Sequence, residues 1–472
     1  MQTTKIFLMA ALALMTVACS NDDNDIQTPA EQPAKSEGIP FTATISMGES
    51  ASTRALVEDN VNNKIVATWA TGEKVALIYM VGSTPTKTDA EVTKQTDGTA
   101  TISATLESGA TNGSAVTIIY PSDAADGTTG NVKSDWLSSQ DGTLTGTGGT
   151  SIAEKYDVRK GTGKLSICAG GATVNNGTAG TTVALTNQNA IFKLTLKDID
   201  GTSDVSSTSV IISDENGVVT TVTPASGYEK AMYVALPTTA TTLKFLVTGS
   251  DSKKYFNMAS SLTLSASYYQ STIKLATVGH VIASNGKCYK DNLAIPSGES
   301  AVAKIAYLGD DAETSTTNTD FKNGLALALE DVSGTKTWCS PKGATCLGSQ
   351  YDKSTKFNDL AGIDNTDALV NNTGHTHAAA SAARGYNSGI HPTGTSAWFL
   401  PSAGQWNKMI GATGLNNWGL TGNAYYWSST EKDADYAWII STFDNEWGTL
   451  FGLYKDNVGV LSDGRVRACL AF

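Results

Sequence analysis

From Ile39 to about Ala276 apolar residues recur at every second position in short runs, and each run stops at a cluster of Gly, Asp, Asn or Thr. In Ala190-Ile191-Phe192-Lys193-Leu194-Thr195-Leu196-Lys197, residues Phe192, Leu194 and Leu196 fall on one face and Lys193, Thr195 and Lys197 on the other. That is the pattern of a strand with one buried face. Met232, Val234 and Leu236 repeat the period, as do Leu243, Phe245 and Val247. No stretch before residue 300 carries apolar residues at helical spacing, so antiparallel β-sandwiches are expected. Around Ser139 to Ser151 the chain becomes mostly Gly, Thr and Ser, which sets an expected boundary between two such domains, 39–150 and 151–277.

Residues 278–472 read differently. Seven of the nine tryptophans lie between Trp338 and Trp447, and the only helical patterns occur here. Asn358 to Asn371 and the Ala-rich run His375 to Tyr386 are helix candidates. The clearest is Pro401 to Gly414: Ser402 can cap the N-terminus with Gln405 three residues on, Trp406, Met409 and Ile410 share a face, and Gly411 or Gly414 ends it. Strands are expected at Val302 to Leu308, Leu325 to Leu329, Tyr425 to Ser429, Ala437 to Thr442, Phe451 to Lys455 and Val466 to Phe472. The fold class is therefore mainly β, two antiparallel β-sandwich domains followed by an α+β domain.

At the other end Lys5 precedes an apolar run through Leu14 that closes on small residues before Cys19. Residues 1–18 read as a secretory signal, too short for a permanent membrane span. Thr16-Val17-Ala18-Cys19 resembles the bacterial lipoprotein box, with Thr16 where Leu is commoner. The resemblance implies acylation of Cys19, and two or more acyl chains anchor stably. The acidic run Ser20 to Asp25 resembles the export signal that sends some Gram-negative lipoproteins to the outer face of the outer membrane. A plain secreted protein with a spare cysteine is the alternative. Residues 19–38 lack apolar content for a core and read as a flexible acidic tether.

Composition fits an exported β protein: charged residues make up 17% of the 472-residue chain, and Gly numbers 45. A formal charge of −12 excludes the basic footprint that nucleic acid requires. Without Cys19 five cysteines remain, an odd number, so this is no disulfide scaffold. Cys288 with Cys469, or Cys339 with Cys346, could pair.

Thr68 to Tyr79 (TWATGEKVALIY), Thr117 to Pro121 (TIIYP), Ala190 to Asp198 (AIFKLTLKD), Met232 to Pro237 (MYVALP) and Tyr268 to Leu275 (YYQSTIKL) together resemble the fimbrillin family of type V pili, over roughly residues 39 to 276. The resemblance implies a lipoprotein precursor with two β-sandwich domains that assembles with other fimbrillin subunits by strand exchange. It also implies an arginine-specific cut after an N-terminal strand. Phe41 to Ile45 reads as that strand, and Arg54, the only arginine before Arg159, as the processing site. A sandwich that loses such a strand offers unpaired backbone and an apolar groove to an incoming segment.

Gly279 to Tyr289 (GHVIASNGKCY), Trp398 to Ile410 (WFLPSAGQWNKMI), Tyr425 to Glu431 (YYWSSTE) and Arg465 to Phe472 (RVRACLAF) resemble the C-type-lectin-like modules of bacterial surface proteins. That fold implies pairing of first and last strands, with Val281 and Ile282 beside Ala468, Leu470 and Phe472. A last strand sealed in this way cannot be donated to a neighbour, which implies a pilus tip subunit with an adhesive terminal domain. The Glu-Pro-Asn, Gln-Pro-Asn and Trp-Asn-Asp motifs of calcium-dependent sugar binding are missing from the sequence. Trp398, Trp427 and Trp438 are expected in the core, whereas Trp418, Tyr436 and Trp447 are the ligand-binding candidates, with Phe443 to Gly452 as the ligand face.

Catalytic chemistry has no recognisable motif. Of the four histidines only His375 and His377 stand close, with no second cluster at metal-ligand spacing beside them. Neither a metal site nor a cofactor is expected, and the acidic turns Asp310-Asp311 and Asp364 to Asp367 read as surface turns before calcium sites. Two other readings stay open. One is a solitary outer-membrane lipoprotein that binds glycan or protein without entering a pilus. The other is an enzyme related to formylglycine-generating catalysts, for which Cys339 and Cys346 would be the only suitable pair.

Overall fold

The computed structural model describes residues 38–47, 57–59, 64–66, 69–95, 99–145, 150–176, 180, 182–214, 216–224, 229–257, 263–317, 320–415, 418–456 and 464–472. Cys19 and Arg54 lie outside them. The protein is mainly β. The described residues form two compact units, one drawn from those at 38–57, 66–133 and 157–187, the other from those at 58–65, 134–156 and 188–472. This division differs from the one expected at residue 150. The strands of 159–187 complete the first sheet, while 139–145 and 150–151 of the Gly/Thr/Ser stretch belong to the second unit. Sheet pairing, not linker composition, assigns each segment.

In the first unit the strands run in the spatial order Gly171–Asn175, Ile39–Ser46, Thr99–Leu106, Thr84–Lys94, Lys74–Val81, Ala115–Tyr120 and Arg159–Cys168. Arg159–Cys168 pairs with Ala115–Tyr120 through residues 159–164 and with Gly171–Asn175 through residues 164–168, so the ladder returns to its start. Closure removes the exposed edges that an open sandwich would leave. Ile39–Ser46 is paired on both sides: eight antiparallel partners in Thr99–Leu106, and parallel partners at Ala172 and in Thr182–Ala184. Its Phe41, Ala43 and Ile45 are buried, as their spacing predicts. Gly171 (φ +139°) lets this strand approach, since a Cβ there would lie 2.7 Å from the Pro40 carbonyl oxygen.

The second unit begins with an eight-stranded sheet in the order Ala231–Pro237, Asn189–Asp198, Tyr268–Thr277, Lys254–Asn257, Lys244–Gly249, Ser207–Asp214, Gly217–Val222 and Ser139–Gln140. Its outermost strands are joined by a side chain. The buried Gln140 amide donates to the Ala235 carbonyl and accepts from the Ala235 N–H, both at 2.8 Å, as a strand backbone would. Ala190, Leu194, Leu196, Met232, Val234, Leu236 and Val247 form the interior.

Residues 278–472 add a five-stranded sheet (Cys288–Tyr289, Val281–Ala283, Ala301–Leu308, Gly324–Ala328, Cys469–Ala471), a four-stranded sheet (Leu450–Tyr454, Tyr436–Ser441, Tyr425–Glu431, Gly464–Arg465) and helices α1 (Gly362–Val370), α2 (Ala378–Arg384) and α3 (Ala403–Thr413). Helix α3 carries the full capping box: Ser402 accepts from the Gln405 N–H, Gln405 reaches back to the Ser402 N–H, and Gly414 is left-handed at φ 66°. Trp338, Trp398, Trp406, Trp427 and Trp438 are core residues. One core cluster runs from Leu246, Phe256 and Ala276 of the preceding sheet into Ile282, Ile305, Trp398 and Phe472, so the two parts share an interior.

Val281–Ala283 and Cys469–Ala471 are not neighbours. Ala301–Leu308 and Gly324–Ala328 lie between them, which corrects the expected pairing of first and last strands. The last strand is sealed in another way. It pairs with Leu325–Leu327 on one side, and on the other the Phe399 and Cys469 backbones exchange hydrogen bonds of 3.0 and 2.9 Å. The same order places Cys288 and Cys469 on opposite outer strands, so they do not pair, and both are free thiols.

Candidate functional site

The four-stranded sheet ends in Leu450–Tyr454, which among the described residues pairs only with Tyr436–Ser441. The antiparallel register sets Tyr436 opposite Tyr454, and the rings pack at a tilt of 33° with centroids 4.3 Å apart. Lys432 lies 4.6 Å above Tyr436, and Lys342 lies 4.8 Å above Tyr454. A hydrogen bond with Tyr454 pushes the Tyr436 phenol up to about 12, so Tyr436 stays neutral at physiological pH. Tyr454 is 43% and Phe451 36% exposed on this strand. Two neighbouring phenols with an ammonium group over each ring suit an acidic or polar group.

Trp418 and Trp447 have other surroundings. Trp447 Nε1 donates to the Gly414 carbonyl at 2.7 Å, tying its turn to the end of α3, and its ring rests on the core beside that helix. Trp418 rests on the same cluster beneath Lys304, which is 4.4 Å from the ring centroid. Tyr436 and the turn bearing Trp447 stand at opposite ends of Tyr436–Ser441. Five residue steps of a strand span about 17 Å. Phe443 to Gly452 is thus not one continuous face with Tyr436, and the three aromatic candidates do not make one contact patch.

A cleft of about 300 Å³ lined by Phe321, Ile363, Asp367, Arg384, Ser396 and Ala397 opens elsewhere in residues 278–472, with Arg384 paired to Asp367 at its wall. The acidic turns are occupied by protein donors. Asp364 accepts from Ser315, Thr316 and Thr317, and Asp311 from Tyr307 and Lys408. Glu313 receives the Ile363 and Thr314 N–H groups and the Gln405 amide, but burial dominates and pushes its carboxyl up to about 8.

One cluster joins two groups that stand apart in the sequence. Cys339, Cys346 and His377 bring potential metal-ligating atoms within 4.8 Å of one another. The backbones of Ser340 and Thr376 exchange hydrogen bonds of 2.9 and 3.0 Å, which sets Cys339 beside His377. The Cys346 N–H donates to Glu431 at 2.7 Å, and Glu431 forms a fully buried ion pair with Lys455. In the sequence only the Cys339–Cys346 spacing and the His-Thr-His triplet hinted at this group. The two-residue bridge that joins them spans 36 positions and leaves no local pattern.

No protein-family model matches the chain, and no curated protein matches it. Solved structures to which it is distantly similar include a fimbrial protein from Bacteroides ovatus (13% identity, 93% of this chain and 100% of that one, TM-score 0.31). A candidate cell adhesion protein from Bacteroides fragilis (13%, 51% and 94%, TM-score 0.26) and a shaft pilin from Lactobacillus rhamnosus GG (8%, 52% and 99%, TM-score 0.21) are similar at the same level. Likenesses this distant carry no functional assignment to the chain.

Proposed function

We propose that the chain is a surface-displayed lipoprotein, anchored to the outer membrane through Cys19, that serves as a tip subunit of a fimbria and presents residues 278–472, a C-type-lectin-like domain, for adhesion to a surface glycan or protein. The observation that carries the reading is the contrast between Ile39–Ser46 and Cys469–Ala471. Ile39–Ser46 fills one slot in a closed sheet, with Thr99–Leu106 on one side and Gly171–Asn175 and Thr182–Ala184 on the other. Withdrawing it after a cut at Arg54 would leave an apolar groove with unpaired backbone on both walls, which a strand from another fimbrillin subunit can refill. Residues 468–472, by contrast, are buried and paired, so this segment accepts no donor role. On this reading the chain accepts a strand and keeps residues 468–472 for itself.

Mass spectrometry of surface-released protein tests the cut: a mature chain starting at Ala55, and a longer lipid-linked chain in Arg54→Ala, are expected. Immunogold labelling tests the position, with signal confined to filament ends expected. An unprocessed chain spread evenly over the membrane would replace this reading by a second one, a solitary outer-membrane lipoprotein that binds its ligand alone. That second reading is supported by the closed first sheet, which needs no partner strand.

A further inference from the structure

We propose that Cys339, Cys346 and His377 form a zinc site with three protein ligands and a fourth position left for water. Their ligating atoms lie within 4.8 Å of one another, and the two sulfurs are 3.2 Å apart. Donors around one tetrahedral zinc, at about 2.3 Å for sulfur and about 2.0 Å for nitrogen, stand roughly 3.5–3.8 Å from one another. The observed separations bracket that range, so rotamer adjustments of about an ångström bring the three onto one ion.

The imidazole supplies the independent observation. His377 is 2% exposed, and its Nδ1 faces the Trp338 carbonyl at 3.2 Å. A carbonyl only accepts, so Nδ1 carries the proton and Nε2 keeps its lone pair. Nε2 is buried and has no hydrogen-bond partner in the protein. A buried nitrogen with a free lone pair is costly unless something binds it, and a metal ion does so while the carbonyl on Nδ1 fixes the tautomer.

Charge and chemistry select the ion. Two thiolates neutralise a dication, and the neighbouring Glu431 and Lys455 already neutralise each other, so the loaded site adds no net charge to the interior. Two sulfurs and one imidazole favour a borderline-soft ion of tetrahedral preference over calcium or magnesium. Cys346 is held from behind by Glu431 at its N–H, and Lys455 Nζ donates to the Ala344 carbonyl at 2.9 Å, which fixes the loop between the two cysteines. Binding would staple that loop to the start of α2, and each thiol would release its proton to solvent as the metal–sulfur bond forms.

The test uses the full secreted-length chain, reduced, stripped with a chelator and reloaded with zinc sulfate. One zinc per chain by elemental analysis, retained in Cys288→Ser and lost in Cys346→Ser and in His377→Gln, supports the site. Cobalt(II) substitution of the unmutated protein gives a readout that does not depend on a variant folding: tetrahedral d–d bands with a thiolate charge-transfer band are expected. A well-folded chain that takes up no zinc, zinc retained in His377→Gln, or a Cys339–Cys346 disulfide that persists after reduction and zinc loading would each overturn the proposal.

Discussion

Ile39–Ser46 and Cys469–Ala471 are each hydrogen-bonded on two sides, yet they are held by different means. The first is kept by main-chain ladders and by an alternating apolar face of Phe41, Ala43 and Ile45. Any strand with that period would satisfy the same neighbours. The second is locked by particular side chains. Phe472 lies 5.1 Å from Phe256, the Ala471 N–H donates to the Ser396 hydroxyl, and the preceding Arg467 is fully buried with its guanidinium on Asp331 and the Ala328 carbonyl. Backbone pairing with a simple pattern makes an exchangeable strand, and side-chain complementarity makes a permanent one.

The largest effect should separate the two directly. Phe41→Ala and Phe472→Ala each remove a buried ring, at a cost of about 3–5 kcal/mol in chemical denaturation. A synthetic peptide with the sequence Ile39–Met47 should restore the first variant and no peptide of residues 466–472 the second. Equal rescue of both would erase the distinction.

Sheet closure offers the next comparison, since the first unit closes by a backbone ladder and the second through the Gln140 amide and a backbone bond from the Tyr233 N–H to the Gly142 carbonyl. Gln140→Ala strands the Ala235 N–H and carbonyl, at about 1–3 kcal/mol for each group. The loss should appear as a lower unfolding midpoint of the unit containing residues 188–472, with the ladder of the first unit intact by hydrogen exchange. A midpoint equal to that of the parent chain would mean the amide bridge is incidental.

The units should agree in their pH response. Burial pushes Glu73 in the first up to about 7, with Asp157 adding to the effect, and Glu313 in the second up to about 8. In the unfolded chain both release their protons near 4.5. Between that pH and the folded values the folded state binds more protons, so stability falls as pH rises, by about 1.4 kcal/mol per pH unit and group at most. Thermal unfolding from pH 4.5 to 8 should show this decline, and Glu313→Gln should flatten the part above pH 7. The smallest effect is expected at the surface: Lys408→Ala breaks the pair with Asp311 and should shift stability by less than about 1 kcal/mol.

Much of the fold is local and was legible. Period-two runs put Phe192, Leu194, Leu196, Met232 and Val234 inside, and Ser402, Gln405 and Gly414 bounded α3, because side-chain direction and capping depend on residues within one turn or one strand. What joins distant segments was not legible. The return of Arg159–Cys168 to Gly171–Asn175, the two strands between Val281–Ala283 and Cys469–Ala471, the separation of Tyr436 from Trp447 and the meeting of Cys339, Cys346 and His377 all depend on which strand or loop lies next to which. A sequence states which face of an element is apolar. Only the packed chain decides what that face meets, because many partners offer the same apolar surface and the choice among them is settled by the sum of contacts over the whole core.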